Sequence, residues 1–394
     1  MRGIRLGSAF GIPIQLNWTF LLILPIFAWI IGRDIAVLAD LVNRFLGGAI
    51  AIEPLTVGSM PWILGFAAAG GLFFGVLLHE FGHSLMAMRY GLEIESITLW
   101  LLGGVASFKE MPEDWHKEFT IAIAGPVVSV LVGVVSYVAF VLTPPGMDAL
   151  AFVLGYLAIM NIVLAGFNML PGFPMDGGRV LRALLARNRP HAQATQLAAE
   201  VGKIFAFMLG LLGLFAFSPL LILLAFFIYI AASGEVQQST LKAAFQGVTV
   251  RDIMTPGENL HVVEPETTIS ALLTRMLTER HTGYPVIDRR DELVGMVTLD
   301  DARSVKEVER DAYRVEDVME RDVATIDPDS DAITALRTMQ EHGVGRLPVT
   351  TVEGDLVGII SRTDLMTAFN VIQSRGSATT LTGSGDVDSL PSVR

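Results

Sequence analysis

Residues 61–88 read PWILGFAAAGGLFFGVLLHEFGHSLMAM. A helix that crosses a bilayer core needs roughly 20 mostly apolar residues, and this stretch is long and apolar enough for one. Its second half is interrupted by His79, Glu80 and His83, an H-E-x-x-H pattern. On a helix, positions i and i+4 share a face, so both imidazoles can address one metal ion. Glu80 follows the first histidine directly and can reach a water held by that ion. Ionisable side chains inside an apolar span are costly to bury, which makes them functional candidates by default. The motif alone leaves two other readings open: a polar trio hydrogen-bonded to neighbouring helices, or an ion path through a transporter.

The surrounding chain has the same split character. It has 394 residues, 52% of them hydrophobic and only 17% charged, with a mean hydropathy of +0.54. Soluble chains carry about 25% charged residues. The long apolar runs fall in residues 1–236, whereas residues 237–394 read as an ordinary soluble sequence. There is no cysteine, so a metal must be held by His, Asp or Glu. The net charge of −12 argues against a nucleic-acid partner, which would need a basic patch. The basic opening passes into a long apolar run with no small-residue cleavage site, so no signal peptide is expected.

Further spans are predicted at about 14–38, 119–143 and 149–170. A long stretch from 192 to 233 divides into two at Ser218–Pro219, since proline starts helices and disfavours helix in the residue before it. Arg2 and Arg5 precede the first span; Arg89, Lys109 and Lys117 lie between the second and third; Arg179, Arg182, Arg187 and Arg189 follow the fourth. The positive-inside rule then puts the N-terminus in the cytoplasm. Six spans would return the C-terminal part there, and five would leave it outside. Residues 91–108, GLEIESITLWLLGGVASF, read as a short strand pair or a re-entrant segment.

A catalytic zinc has three protein ligands and one open position. The best third candidate is Asp176, in N-M-L-P-G-F-P-M-D-G-G-R over 168–179, because the second and fourth spans both approach the cytoplasmic side near these residues. Spacing leaves Asp176 equally open to a role as N-cap of GGRVLRALLA.

Taken together, HEFGH in one span, Ala124-Gly125-Pro126 in the next, FNMLPGFPMDGGR after the fourth and the opening LGSAFGIPIQLNWTF resemble the site-2 protease family of intramembrane metalloproteases. The resemblance covers about residues 1–236. It implies one Zn2+ per chain held by His79, His83 and Asp176, with Glu80 as catalytic base. It also implies that Asn168 lies near the site, meeting the substrate backbone or the developing oxyanion. The substrate would be a transmembrane protein, unwound locally for attack, and the 91–108 segment could hold it by strand addition. Ser129 departs from the family pattern, where many members carry Asn, and leaves helix-contact details there open. A transporter or channel with an intramembrane His/Glu/Asp ion path is the alternative.

The soluble half repeats. Val250-Arg-Asp-Ile-Met254 recurs as Val315-Glu-Asp-Val-Met319, Gly283-Tyr-Pro-Val286 as Arg346-Leu-Pro-Val349, and Thr298/Asp301 as Ser361/Asp364. The pair resembles tandem CBS domains, which implies adenine nucleotide as a regulatory ligand, with the hydroxyls of Thr298 and Ser361 on phosphate and Asp301 and Asp364 on ribose. The other reading is that each Asp N-caps the helix after it. Module pairing makes a homodimer the expected assembly.

The sequence thus predicts a polytopic α-helical membrane protein of the cell membrane, with about six transmembrane helices and a small β segment, followed by a cytoplasmic α+β tandem CBS module. The predicted parts are a protease domain at 1–236, a linker at 237–247, CBS domains at 248–308 and 309–370, and a disordered tail at 371–394.

Overall fold

The computed structural model describes residues 4–100, 103–108, 112 and 114–382. Arg2, Lys109 and the last part of the predicted tail, 383–394, lie outside the described residues. The chain forms two compact units, Met1–Ser239 and Thr240–Arg394.

The first unit opens with a hairpin, β1 (Ile4–Ala9) and β2 (Ile12–Leu16), and continues with α1 (Trp18–Arg33), α2 (Ile35–Leu46) and the short α3 (Glu53–Thr56). Then come α4 (Met60–Arg89), β3 (Ile94–Trp100), β4 (Gly103–Phe108), α5 (Trp115–Val141) and α6 (Asp148–Asn168). α7 (Asp176–Ala186), α8 (His191–Phe215) and α9 (Pro219–Ala244) complete it. Among the described residues, α4, α5, α6, α8 and α9 are long and apolar enough to cross a membrane, and α1 with α2 makes a sixth span if the bent pair is counted as one. Large apolar side chains such as Phe207, Leu223 and Phe226 stay exposed on α8 and α9, where lipid would cover them.

The first span departs from its prediction. Residues 14–16 belong to β2, and the helix breaks after Arg33 with a 71° bend into α2. The strand ends because Asn17 caps α1, its side chain accepting from Thr19 N at 3.0 Å. The strand pair expected within 91–108 is present as β3 and β4. It belongs to a four-stranded sheet in the order β1-β2-β3-β4, with β2 parallel to β3. The hairpin was legible in principle: Phe10 and Gly11, both at positive φ, form the two-residue turn that joins such strands. The sheet leaves β4 at an edge.

The second unit holds α10 (Val250–Ile253), β5 (Thr255–Pro256), α11 (Ile269–Glu279), β6 (Gly283–Ile287), β7 (Leu293–Thr298), α12 (Leu299–Ser304), α13 (Val315–Val318), α14 (Ala332–Glu341), β8 (Arg346–Thr350), β9 (Leu356–Ser361) and α15 (Arg362–Thr382). The repeats exchange their openings. Val315 and Met319 pack into the core of the first repeat with Leu272, Tyr284 and Val297, while Phe245 and Val250 pack into the second with Met339, Leu347 and Ile360. The expected linker at 237–247 is therefore no free tether: it is helical to Ala244, and Phe245 is a core residue. Of the expected tail at 371–394, the described part is helical, since α15 continues to Thr382. Leu365, Phe369 and Ile372 anchor it on the core, and adding residues to an established helix is cheap.

Candidate metal centre

His79 and His83 lie on one face of α4 and are buried, each 3% exposed. Their Nε2 atoms are 3.2 Å apart. Asp176, the first residue of α7, brings Oδ2 to 3.1 Å from His79 Nε2 and 3.2 Å from His83 Nε2. The N-cap of α7 is Met175 rather than Asp176, so capping does not account for the aspartate. The distant residues that sequence reasoning paired are brought together.

The outer ring atoms settle what these groups can hold. His83 Nδ1 lies 2.7 Å from the carbonyl of Ile121, which can only accept, so Nδ1 carries a proton, and in the neutral ring Nε2 presents its lone pair. His79 Nδ1 lies 2.9 Å from the Ser129 hydroxyl, which is able to accept in the same way. With both rings in that tautomer, two imidazole lone pairs and a carboxylate oxygen converge in a buried pocket, a donor set that a divalent cation would satisfy. Bonds of about 2.0–2.1 Å at tetrahedral angles separate ligand atoms by about 3.3 Å, close to the spacing here. The donor set fits zinc, and all three ligating atoms lie within 4.8 Å of one another.

Two glycines make this approach possible. A Cβ on Gly125 would run into the His83 ring, which explains the glycine of Ala124-Gly125-Pro126. A Cβ on Gly104, in β4, would stand 2.5 Å from Glu80 Cγ, so the edge strand passes directly over the half-buried Glu80. Asn168 is the last residue of α6, and its Nδ2 donates to the Leu164 carbonyl at 3.1 Å. Among the described hydrogen bonds none ties Asn168 to His79, His83 or Asp176. Ser129, noted in the sequence only as a departure, proves to be the partner of the His79 ring at Nδ1. The readable signal was its spacing within the Gly-Pro helix that faces α4.

The family profile described as "Peptidase family M50" matches residues 67–152 and 146–209, and that of "CBS domain" matches 250–307 and 315–371. The zinc metalloprotease MJ0392 of Methanocaldococcus jannaschii is 34% identical over 371 residues, covering 94% of this chain and 97% of that protein. This chain belongs to peptidase family M50, the site-2 proteases. A solved structure of the site-2 protease from Methanocaldococcus jannaschii is 32% identical and covers 60% of this protease and 95% of that chain, with a TM-score of 0.40. The structure of CBSX2 in complex with AMP, a protein of Arabidopsis thaliana, is 33% identical over 32% of the protease and 99% of that chain, with a TM-score of 0.30. The protein is thus a zinc metalloprotease with tandem CBS domains, which decides against the transporter alternative.

In the CBS module of the protease, Thr298 is the N-cap of α12 and Asp301 its third residue, with the Asp301 carboxylate accepting from Thr298 N at 2.8 Å and from its hydroxyl at 2.6 Å. Ser361 and Asp364 repeat this at the start of α15. The capping alternative is therefore right in kind but reversed in role: the hydroxyl residue caps and the Asp closes the box. Each pair borders a cavity. That beside Thr298, about 810 Å³, is lined by Asp300, Asp301, Glu320 and Asp322 along with His342 and Arg346. That beside Ser361, about 380 Å³, is lined by His261, Arg280, His281 and Arg346 facing Asp364.

Proposed function

We propose that this zinc metalloprotease hydrolyses a peptide bond in or next to a transmembrane segment of another membrane protein, and that adenine nucleotide at the CBS module adjusts its rate. The reading rests on one observation above the rest: the ligating atoms of His79, His83 and Asp176 converge, buried, among helices suited to a membrane.

Zinc bound there would supply Lewis acidity, bringing the pKa of a water it holds from 15.7 toward about 7 and polarising the scissile carbonyl. Glu80 takes the proton from the attacking water and returns it to the leaving amine nitrogen. His79 and His83 are each oriented by a partner at the outer nitrogen, Ser129 and the Ile121 carbonyl. To meet the oxyanion, Asn168 exchanges its hydrogen bond to Leu164 for one to the substrate. The open edge of β4, running over Glu80, receives the unwound substrate as an added strand, which frees a carbonyl that a helix would keep bonded.

Of the two CBS cavities, the one bordered by Arg280, Arg346, His261 and His281 suits a phosphate-bearing ligand better than its acidic counterpart. Ser361 and Asp364 then contact phosphate and ribose, with Thr298 and Asp301 in the equivalent positions of the acidic cavity. The module is cytoplasmic in this reading, in the cell membrane, and the chain is a homodimer through its CBS pairs.

The test is Glu80→Gln in the full chain, assayed on a transmembrane peptide. Zinc should stay near one per chain while cleavage falls by about 10²–10⁴-fold; cleavage at the unmodified rate would refute the assignment. Proline within Gly103–Phe108 should stop cleavage without releasing zinc. An unchanged response to ATP after removal of residues 246–394 would exclude nucleotide control.

A further inference from the structure

Away from His79, His83 and Asp176, the described residues of the first unit bury another ionic cluster, and the chemistry makes no use of it. Arg182, on α7, is 5% exposed. Its Nε donates to Glu118 Oε1 at 2.6 Å and its Nη1 to Glu235 Oε1 at 2.7 Å. Its guanidinium lies 4.9 Å from the centroid of the Phe173 ring. His191 Nε2 stands 3.4 Å from the second Glu118 oxygen. The four charged or titratable groups come from the first turn of α5, from α7, from the start of α8 and from α9. In the sequence Arg182 counted merely as one more basic residue beside a span, yet it is packed inside.

Buried ion pairs add little net stability compared with apolar packing, so the cluster calls for a positional explanation. α7 supplies one. The helix begins with Asp176, and six residues on, about 9 Å along its axis, stands Arg182. Phe173, under the same guanidinium, lies three residues before Asp176 in the loop that delivers it. One side chain therefore grips both the helix and the loop that flank the carboxylate. Glu235, 33% exposed at its side chain, belongs to α9, which continues as a single helix beyond Ser239, where the first unit ends. Leu241 and Phe245, just beyond, pack in the CBS core.

We propose that Arg182 is a positioning residue for Asp176, and that Glu235 is the arm through which α9 sets that position. A shift of α9 moves Glu235, which pulls on Arg182 and so tilts or slides α7 against α4. The Asp176 carboxylate then leaves its place opposite His79 and His83, and the metal is held less tightly. The inference rests on Asp176 being a zinc ligand.

The experiment uses the full-length chain in detergent, with zinc affinity from chelator competition and the visible absorption of the Co2+-loaded protein as readouts. Glu235→Gln preserves shape at a partly exposed position and should fold. It should weaken zinc binding by a few-fold, less than the roughly 10–100-fold that follows loss of a direct outer partner of a ligand, and shift the cobalt bands. Arg182→Lys should behave similarly, because one ammonium cannot fork between two carboxylates. Glu200→Gln, the same charge change on α8, should alter neither. Asp176→Asn, run beside them, separates the two levels: if it keeps wild-type affinity, the ligand assignment itself is wrong. If it loses zinc while Glu235→Gln retains wild-type affinity and spectrum, the positioning route is refuted.

Discussion

His79 and Asp176 are separated by 97 positions, whereas Thr298 and Asp301 are three apart. Both pairs bring a polar group against a carboxylate at hydrogen-bond distance, yet they do different work. In the CBS module each hydroxyl finds its carboxylate within one helical turn, and the pair closes a helix start on itself. In the membrane unit the two imidazole Nε2 atoms are neighbours on one helix, but the carboxylate they face, Asp176, comes from far along the chain. Polar groups satisfied locally are structural first. Of the buried groups that meet at long range, Arg182 and its glutamates complete one another, whereas His79, His83 and Asp176 present a set of donor atoms to a single point.

The contrast is open to breakage at both ends. Asp176→Asn should have the largest effect: zinc affinity should fall by more than about 100-fold, beyond what loss of an outer partner causes, with metal content measured on the purified chain. Zinc retained at one per chain would remove the distinction. Ser129→Ala should come next, lowering zinc affinity by about 10–100-fold through loss of the hydroxyl behind His79; an unchanged chelator titration would make Ser129 a packing residue only. Thr298→Ala and Ser361→Ala should each cost about 1 kcal/mol of module stability, as lost N-caps do, with no change in zinc content. If either variant loses nucleotide binding without losing stability in thermal melts, the hydroxyl leaves its cap to bind, and the contrast narrows.

The smallest effect concerns pH. Burial opposes ionisation of Glu279, but the Tyr284 hydroxyl and the Arg275 guanidinium that donate to it outweigh this, and its carboxyl is held below the ordinary glutamate value of 4.5. Folding then favours the charged form. The contribution is complete above about pH 4.5 and disappears as pH falls through the lowered value. Melts of Glu279→Gln should accordingly lose part of the acid-side slope seen in the unsubstituted chain, and an identical slope would show that this carboxylate is not coupled to folding.

Much of the molecule was legible because its signals are short in range. Span lengths, the break at Ser218–Pro219, the strand pair near 91–108 and the 63-residue repeat all follow from local patterns, and α8, α9, β3 and β4 appear where those patterns put them. The H-E-x-x-H pair is likewise local, since one helix turn sets it. The N-terminal hairpin was missed because each strand is only five or six residues long and its second strand runs without a break into the apolar sequence of α1; its pairing with β3, far along the chain, has no local signal at all. The bend after Arg33 was missed because the hydrophobic run continues through it without a break.

By itself the sequence determined the membrane character, the two-part layout, the metal-binding residue types and the repeat, each of which depends on neighbours within a turn or a strand. Tertiary structure alone decided that Asp176 faces two imidazoles, that Ser129 and the Ile121 carbonyl orient those rings, that β4 runs over Glu80 and that Arg182 is buried between Glu118 and Glu235. These depend on where whole helices pack, and packing is fixed by the sum of many weak contacts that no local pattern records.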